Sequence, residues 1–381
     1  MKKFIVVGVG RMGSVHADNL YKGRVKGATL IGVVDSSPEA LAAFTKKHGT
    51  PAFKELDECL EKLSPDAAVI ATPHYSHVPI AIKLLERGVS VLTEKPEAVG
   101  IKEAMRLNET ARKHPELLFG IVYNQRTNPC YRFAKEIIEG GGIGKIKRVT
   151  LIITDWYRSQ HYYDMGGWRA SWTGEGGGLM INQCVHQLDV LQWLVGLPES
   201  VDAEAGTKGR DIFVENEVNV RMRYPGGAEG TFIASAHELK GTNILEIAGD
   251  KGKLSVGKYA AKYYKFTPSE EEVNATAKKG YGSAKISRRT RRYGLFRLLR
   301  DALYGQQMRV LEGFTKALNG DGSALVADGK EGIKALSFIN SVYLSAYTGK
   351  AVCCPPDAEE YSECLERMKT DEREGVRSFD R

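Results

Sequence analysis

The sequence predicts an α/β protein in two parts, a parallel sheet flanked by helices and then a larger, mostly antiparallel sheet. Its 381 residues exceed what one ordinary hydrophobic core accommodates. In the first 120 residues, short apolar runs alternate with amphipathic stretches, which is the order of βαβ units. After Asn124 several strand-like runs follow one another, which favours an open antiparallel sheet with helices over one face.

The first part contains apolar runs that predict buried parallel strands at residues 4–7, 29–35, 67–72, 89–93 and 117–123. The amphipathic segments between them predict helices at residues 40–49, 77–88 and 102–113. Glycines stand near the ends of these helices, where a left-handed residue closes the last turn. We therefore place the first domain at residues 1–123.

The second part predicts a different succession of elements. Helices are expected at 129–139, around 180–195, at about 306–319 and at 327–349, and strands at 146–156, 215–224, 228–236, 242–249 and 252–256. Pro-Gly-Gly and Asp-Lys-Gly separate the later strands and predict the turns of a meander. We expect a second domain over residues 124–356 and a charged tail over 357–381.

Composition and cysteine usage narrow the class of protein. The chain is 42% apolar and 27% charged, and no run approaches the roughly 18–20 apolar residues that span a bilayer. Its first apolar run is too short for a secretory signal. Six cysteines lack metal-ligand spacing and are expected to be reduced thiols. We expect a cytoplasmic protein without a metal site or a membrane partner.

The positive charge is concentrated in one segment. Residues 278–300 hold nine basic residues and no acidic one, so the net charge of +7 falls to −2 without them. No nucleic-acid-binding motif accompanies the segment, and we expect no nucleic-acid partner. A solvated loop and helix start, or a contact between subunits, is the interpretation that we favour.

A glycine pattern at the N-terminus predicts the cofactor. Gly8, Gly10 and Gly13 form G-x-G-x-x-G directly after the first strand and at the start of a helix. These glycines allow a tight turn, close approach to a pyrophosphate and close helix–strand packing. Asp35 ends the second strand, where a carboxylate can bind the adenine ribose and repel a 2′-phosphate. The pattern predicts a Rossmann domain that prefers NAD to NADP.

Two further loops follow strands at the carboxyl end of the predicted sheet, where α/β proteins bind ligands. Thr72 and His77 lie on one loop and could contact the nicotinamide half, although Ser76 could equally be a simple helix cap. The other loop carries Lys95, whose amine can polarise an oxygen or, with a lowered pKa, take its proton. The residues expected to contact NAD are Gly8, Gly10, Arg11, Met12, Gly13, Asp35, Ser36, Thr72, Pro73, His77, Glu94, Lys95 and Asn124.

Segment 176–196 places an amide and an imidazole on one predicted helix. Asn182 and His186 are four residues apart and should therefore share a face. Such a pair suits proton transfer and hydroxyl binding. The alternative for His186 is a core histidine that bonds a backbone carbonyl.

The motifs together resemble a known family. Gly-Val-Gly-Arg-Met-Gly at 8–13, Ala-Thr-Pro-x-x-x-His at 71–77, Glu-Lys-Pro at 94–96, and Gly-Gly-Gly…His-Gln-Leu-Asp…Trp-Leu-Val-Gly within 176–196 resemble the Gfo/Idh/MocA family of glucose–fructose oxidoreductases and inositol dehydrogenases. The resemblance runs from Lys3 to about Pro356. It implies a Rossmann domain, an α/β domain whose open sheet mediates homodimers or homotetramers, and hydride transfer between a nicotinamide and a sugar or polyol carbinol. It also implies that Lys95 lies beside the nicotinamide and the substrate hydroxyl.

One residue departs from the family pattern. The family helix usually reads Asp-x-x-x-His, and Asn182 replaces the aspartate. Asparagine exchanges no proton at neutral pH but donates and accepts hydrogen bonds. The resemblance therefore implies acid–base work by Lys95 and His186, with Asn182 orienting a hydroxyl. This variant resembles members that oxidise the 3-hydroxyl of hexosides or nucleotide-sugar uronates.

The loop at residues 154–175 is rich in aromatic and arginine side chains. Aromatic faces stack on sugar rings, and arginine forms bidentate hydrogen bonds with hydroxyl groups. The expected substrate contacts are Arg126, Trp156, Arg158, His161, Tyr163, Trp168, Arg169 and Asn182.

Three functions remain open. The first is an NAD-dependent dehydrogenase of a sugar or glycoside, acting at the 3-position of a hexoside. The second is a redox-assisted glycosidase or C-glycoside-processing enzyme that works through a 3-keto intermediate. The third is an NAD-binding regulator without catalysis, against which the presence of Lys95 and His186 argues.

Overall fold

The computed structural model describes residues 1–379, and the chain divides into two compact units. The first unit comprises residues 1–127, 174–176 and 299–336, and the second comprises residues 128–173, 177–298 and those from Ser337 onward. The sequence predicted successive segments, 1–123 and 124–356, whereas the units alternate along the chain. Within the described residues no helix is long and apolar enough to cross a membrane.

The first unit contains a six-stranded parallel sheet. Its strands β1 to β6 are Lys2–Val7, Ala28–Val34, Ala52–Phe53, Ala67–Ile70, Ser90–Thr93 and Phe119–Ile121. They run in the order β3-β2-β1-β4-β5-β6, all parallel. The order reverses between β1 and β4, and at such a point ligands bind beyond the carboxyl ends of the strands. The predicted parallel sheet is confirmed, and the two-residue β3 is an addition.

Thirteen α-helices lie in the described part of the chain. In order, α1 to α13 are Arg11–Tyr21, Pro38–His48, Leu56–Lys62, His77–Glu86, Ile101–Lys113, Pro129–Glu139, Gln160–Asp164, Val185–Val195, Glu270–Thr276, Leu295–Tyr304, Gln307–Leu318, Gly332–Thr348 and Ala358–Arg373. Helix α11 belongs to the first unit because Val310, Leu311 and Phe314 are buried in the same apolar cluster as Phe4. The Phe4 and Phe314 rings meet edge to face at 6.3 Å.

The second unit contains a nine-stranded sheet. Its strands β7 to β15 are Ile146–Ile153, Ser200–Gly206, Glu217–Arg223, Glu229–Ser235, Asn243–Gly249, Gly252–Gly257, Ala260–Thr267, Lys285–Arg292 and Val352–Cys353. The order is β14-β13-β12-β11-β7-β10-β9-β8-β15, and β7 pairs in parallel with β10. The predicted large, mostly antiparallel sheet is confirmed. The predicted meander is interrupted, because β7 lies between β10 and β11.

Two segments differ from the predicted loops and tails. Residues 285–292 of the basic segment form β14, an outer strand paired along its length with β13 and exposed at every residue. The expected solvated loop is therefore wrong for these eight residues, since β13 offers a full set of backbone partners. The expected charged tail contains α13, which buries Tyr361, Leu365 and Met368 on one face.

Candidate active site

The glycine turn after β1 has the geometry that its sequence predicts. Gly8 has a φ of +86°, and a methyl group there would lie 2.7 Å from the carbonyl oxygen of Ala71. A methyl group on Gly13 would lie 1.7 Å from the carbonyl oxygen of Gly8. At Gly10, by contrast, no atom lies within 4 Å of the corresponding position. The turn thus packs tightly on the sheet and leaves open space where a pyrophosphate would approach.

Asp35 follows β2 and holds the glycine turn. Its Oδ2 accepts the Val9 N–H at 2.7 Å, and its Oδ1 accepts the Ser37 N–H at 2.9 Å. Each carboxylate oxygen retains a further lone pair for a ribose hydroxyl. Asp35 can therefore position the turn and bind a ribose at the same time, with Ser36 exposed beside it.

His77 fastens two loops of the first unit to each other. Its Nδ1 lies 2.8 Å from the carbonyl oxygen of Pro96, and its Nε2 lies 2.8 Å from that of Thr72. The ring is 1% exposed, and burial is the main cause that lowers the pKa of His77. Both ring nitrogens thus face backbone carbonyls, which favours a role in positioning the Thr72 and Lys95 loops over direct contact with a nicotinamide.

Lys95 stands directly after a fixed glutamate. Glu94 Oε1 lies 2.8 Å from Nε2 of His16, a fully buried residue of α1. Glu94 Oε2 accepts the backbone N–H of Lys95 at 3.4 Å. Glu94 is buried, whereas Lys95 is partly exposed. The end of β5 is therefore tied to the cofactor-side helix, which fixes the backbone from which Lys95 projects.

Two orphaned polar atoms test whether the first unit fits a dinucleotide. Thr72 Oγ1 and Asn124 Oδ1 are buried without a hydrogen-bond partner among the described residues. Both residues follow strands of the sheet, and both were expected to contact the cofactor. A buried polar atom without a partner is costly, and a bound dinucleotide would supply partners there. These residues, with Gly10 and Asp35, fit NAD.

Arg126 has a partner other than the expected substrate. The buried guanidinium forms an ion pair with Glu331 and lies over the Tyr123 ring at 5.4 Å. Burial, the largest single cause, would raise the pKa of Glu331, but the charges and hydrogen bonds of Arg126 and Lys334 together outweigh it and lower that pKa. The cation is therefore engaged within the first unit, and the structure favours a structural role for it.

The helix that carries Asn182 and His186 begins with a π-helical turn, Met180–Cys184, and continues as α8. A regular α-helix from residue 180, as the sequence predicted, is thus wrong for the first five residues. Between residues 176 and 192 every residue is buried except Asn182 and His186. The two polar side chains are therefore partly exposed in a largely buried segment, and the helix becomes accessible again only at Trp193 and Val195 near its end.

A buried glutamate that the sequence reasoning missed anchors this helix. Glu215 Oε2 accepts the Gly178 N–H at 3.0 Å, and its Oε1 accepts the Met180 N–H at 2.8 Å and the Tyr343 hydroxyl at 2.9 Å. A methyl group on Gly178 would lie 2.2 Å from the Glu215 carbonyl oxygen, which explains a glycine there. Burial is the main cause that raises the pKa of Glu215 to about 7.

The aromatic loop of the second unit combines cations with rings. The Arg158 guanidinium carbon lies 5.3 Å from the Trp156 ring centroid and 4.7 Å from that of Tyr162. Arg169 lies 4.9 Å from the Trp168 ring and 5.9 Å from the Tyr162 ring. Expected contacts in this loop thus lie close together.

The remaining residues of the aromatic loop differ in exposure. His161 is exposed, whereas Tyr163 is buried and has a raised pKa, chiefly because of that burial. Trp172 is fully buried and donates to the Phe213 carbonyl at 3.2 Å. It is therefore a core residue and not a sugar-binding surface.

A parallel sheet with this glycine turn and an aspartate after its second strand defines a dinucleotide-binding unit. Family models match both parts of the chain. Residues 2–120 match the oxidoreductase family with an NAD-binding Rossmann fold, and residues 131–255 match the GFO/IDH/MocA C-terminal domain. The chain belongs to the Gfo/Idh/MocA family and is an NAD-binding oxidoreductase.

Several relatives of this chain are named as inositol dehydrogenases. The chain is 28% identical over 259 residues to the scyllo-inositol 2-dehydrogenase (NAD(+)) of Bacillus subtilis strain 168, covering 66% of this chain and 72% of the relative. It is 25% identical over 258 residues to the inositol 2-dehydrogenase of Rubrobacter xylanophilus, covering 66% and 70%. The structure of the WlbA dehydrogenase from Bordetella pertussis, in complex with NADH and UDP-GlcNAcA, superimposes with a TM-score of 0.74 at 28% identity over 93% of this chain and 99% of that one.

Proposed function

We propose that this protein is an NAD-dependent dehydrogenase that oxidises a hydroxyl-bearing carbon of a sugar or glycoside, at the 3-position of a hexoside. The observation that carries the proposal is that Asn182 and His186 are the two residues between positions 176 and 192 that are partly exposed. The inositol dehydrogenases among its relatives, and the WlbA structure with NADH and UDP-GlcNAcA, support a hydroxyl-rich substrate.

In the proposed mechanism Gly10, Asp35, Thr72 and Asn124 would hold NAD, which when bound would supply the hydride acceptor for the carbinol carbon. Lys95 polarises the hydroxyl oxygen or, as a neutral amine, takes its proton. The His16–Glu94 contact holds the backbone from which Lys95 projects. His186 relays the proton, because imidazole exchanges protons near neutral pH.

Asn182 orients the hydroxyl by donating and accepting hydrogen bonds. An aspartate at this position would place a negative charge in the site, whereas the amide of Asn182 is uncharged. Acid–base chemistry therefore rests on Lys95 and His186. On this assignment, the helix holds the sugar hydroxyl through the neutral amide of Asn182.

The test is a substrate panel with purified protein and NAD. Hexosides, inositols, nucleotide sugars and plant glycosides are supplied one at a time, and NADH absorbance and aglycone release are both followed. NADH formation with a 3-keto product identified by mass spectrometry is the expected result. Aglycone release without net NADH would replace the proposal with the redox-assisted glycosidase, and NAD binding without turnover of any member would favour a regulator.

We also propose that the protein is a cytoplasmic homodimer or homotetramer formed through the C-terminal sheet. The nine-stranded sheet is open, with β14 and β15 as its outer strands, and all six cysteines are free thiols. Light scattering should give two or four times the chain mass of 42.0 kDa. A single-chain mass at micromolar concentration would contradict this part.

A further inference from the structure

We propose that the loop between β7 and the Asn182 helix binds an acidic group, a carboxylate or a phosphate, carried by the sugar substrate. The acid-binding cluster consists of Trp156, Arg158, Tyr162, Trp168 and Arg169. The inference rests on the proposed function, because it names the substrate class of that dehydrogenase. It is carried by the placement of two guanidinium groups in this loop.

Two cations share one aromatic ring in the cluster. The guanidinium carbons of Arg158 and Arg169 lie 4.7 and 5.9 Å from the centroid of Tyr162. Each arginine is also stacked on a tryptophan, Trp156 or Trp168. Stacking holds the planar guanidinium in one orientation, so both groups are fixed before a ligand arrives.

No acidic side chain neutralises these two arginines within residues 1–379. Neither Arg158 nor Arg169 forms an ion pair in that part of the chain, although Arg158 Nη1 donates to the Tyr157 carbonyl at 2.9 Å. Of the three acidic residues of the loop, Asp155 accepts a hydrogen bond from Asn243 at 3.0 Å, Asp164 accepts one from Gln160 at 2.9 Å, and Glu175 belongs to the first unit.

Three buried N–H groups of the cluster point to a missing acceptor. Arg158 Nε, Arg169 Nε and Trp156 Nε1 are buried without a hydrogen-bond partner among the described residues. Donors of this kind are costly to bury unsatisfied, most of all when charged. An oxyanion satisfies them, because carboxylates and phosphates match the paired N–H geometry of guanidinium.

The cluster is linked to the proposed catalytic helix within the second unit. Gln183 Nε2 donates to the Tyr162 hydroxyl at 3.2 Å, and Gln183 is the neighbour of Asn182. The ring that both arginines cover is therefore bonded to the helix that presents Asn182 and His186. An acidic substituent held by the arginines would place its sugar ring against the same helix.

The experiment measures binding to the NADH-loaded protein by calorimetry, with D-glucose, D-glucuronate and D-glucose 6-phosphate as probes. We expect at least one acid to bind about tenfold or more tightly than glucose, the effect of one charge-assisted hydrogen bond. Preference for glucuronate identifies a carboxylate site, and preference for glucose 6-phosphate a phosphate site. Added salt should weaken the acid and leave glucose unchanged.

Variants assign the effect to the cluster. Arg158→Gln and Arg169→Gln should each weaken the preferred acid about tenfold, while Arg158→Lys should weaken it less because the charge remains. Arg221→Gln is the matched control, since Arg221 is exposed and paired with Asp202. Circular dichroism checks that each variant is folded.

Equal affinity for glucose and both acids, including no measurable binding of any of them, would overturn the inference. So would a preference that survives both arginine substitutions. NADH formation from a neutral glycoside without any such preference would overturn only the inference and leave the proposed dehydrogenase standing. Preferential binding of an acid without turnover of any sugar would overturn the proposed dehydrogenase and leave the acid-binding cluster standing.

Discussion

Replacing Glu215 by glutamine tests the buried carboxylate that anchors the Asn182 helix. The carboxylate accepts hydrogen bonds from the Gly178 and Met180 N–H groups and from the Tyr343 hydroxyl. Its pKa nevertheless rises to about 7, because burial disfavours the charged form more than these bonds favour it. Glutamine resembles the protonated carboxyl, because one oxygen still accepts and an uncharged donor group, here NH2, replaces the other oxygen.

The raised pKa fixes the sign and size of the expected effect. The folded protein binds this proton more tightly than the unfolded chain, whose carboxyl has the ordinary pKa of 4.5. This tighter proton binding therefore adds its full amount to the free energy of unfolding below pH 4.5. That stabilisation is lost as the pH rises through about 7. At about 1.4 kcal/mol per pH unit, the loss amounts to about 3 kcal/mol. The glutamine variant has no such loss at this position.

The assay is urea unfolding at pH 5 and pH 8, followed by tryptophan fluorescence. All four tryptophans, Trp156, Trp168, Trp172 and Trp193, lie in the second unit with Glu215. Between the two pH values the wild type should lose about 2.5 kcal/mol relative to the variant. Glu229→Gln, on an exposed position of β10, should follow the wild type. Parallel pH dependence of wild type and Glu215→Gln would refute the reasoning.

Two further substitutions test the first unit. Asp35→Asn removes one of the two acceptors for the Val9 and Ser37 N–H groups. The NAD dissociation constant should therefore rise about tenfold, and the ratio of NAD affinity to NADP affinity should fall. Unchanged affinities in fluorescence titrations would contradict this role. Phe314→Ala removes a fully buried ring that packs on Phe4 and should lower the free energy of unfolding by about 3–5 kcal/mol. A loss below about 1 kcal/mol in urea melts would show that α11 is not part of this core.

The elements with local signals could be predicted from the sequence. Helix α6 has the predicted bounds, 129–139, because Pro129 opens it and the Asn128 side chain caps the Cys130 N–H at 2.8 Å. Strand β14 could not be recognised, since all eight of its residues are exposed and no apolar alternation marks it. Its structure depends on pairing with β13, which is a tertiary property.

The candidate site shows the same division. The glycine turn, Asp35 and the Asn182–His186 spacing are local patterns with a known chemistry. The contacts that hold them are distant in sequence, as with His16 and Glu94, 78 residues apart. Glu215 likewise reaches back 37 residues to Gly178. No local pattern marks a carboxylate that will be buried, so these anchors became visible only in the structure.

The proposed role of Lys95 is the centre of the functional account, and Lys95→Met tests it most directly. The measurement is the rate of NADH formation with the best substrate of the panel, together with the NAD dissociation constant of the same preparation. The rate should fall about 10²–10⁴-fold, the usual contribution of a general acid or base, while NAD still binds. As a control, Lys83→Met should leave the rate unchanged. Lys83 lies on α4 and forms an ion pair with Asp57. Turnover by Lys95→Met at the wild-type rate would contradict the account.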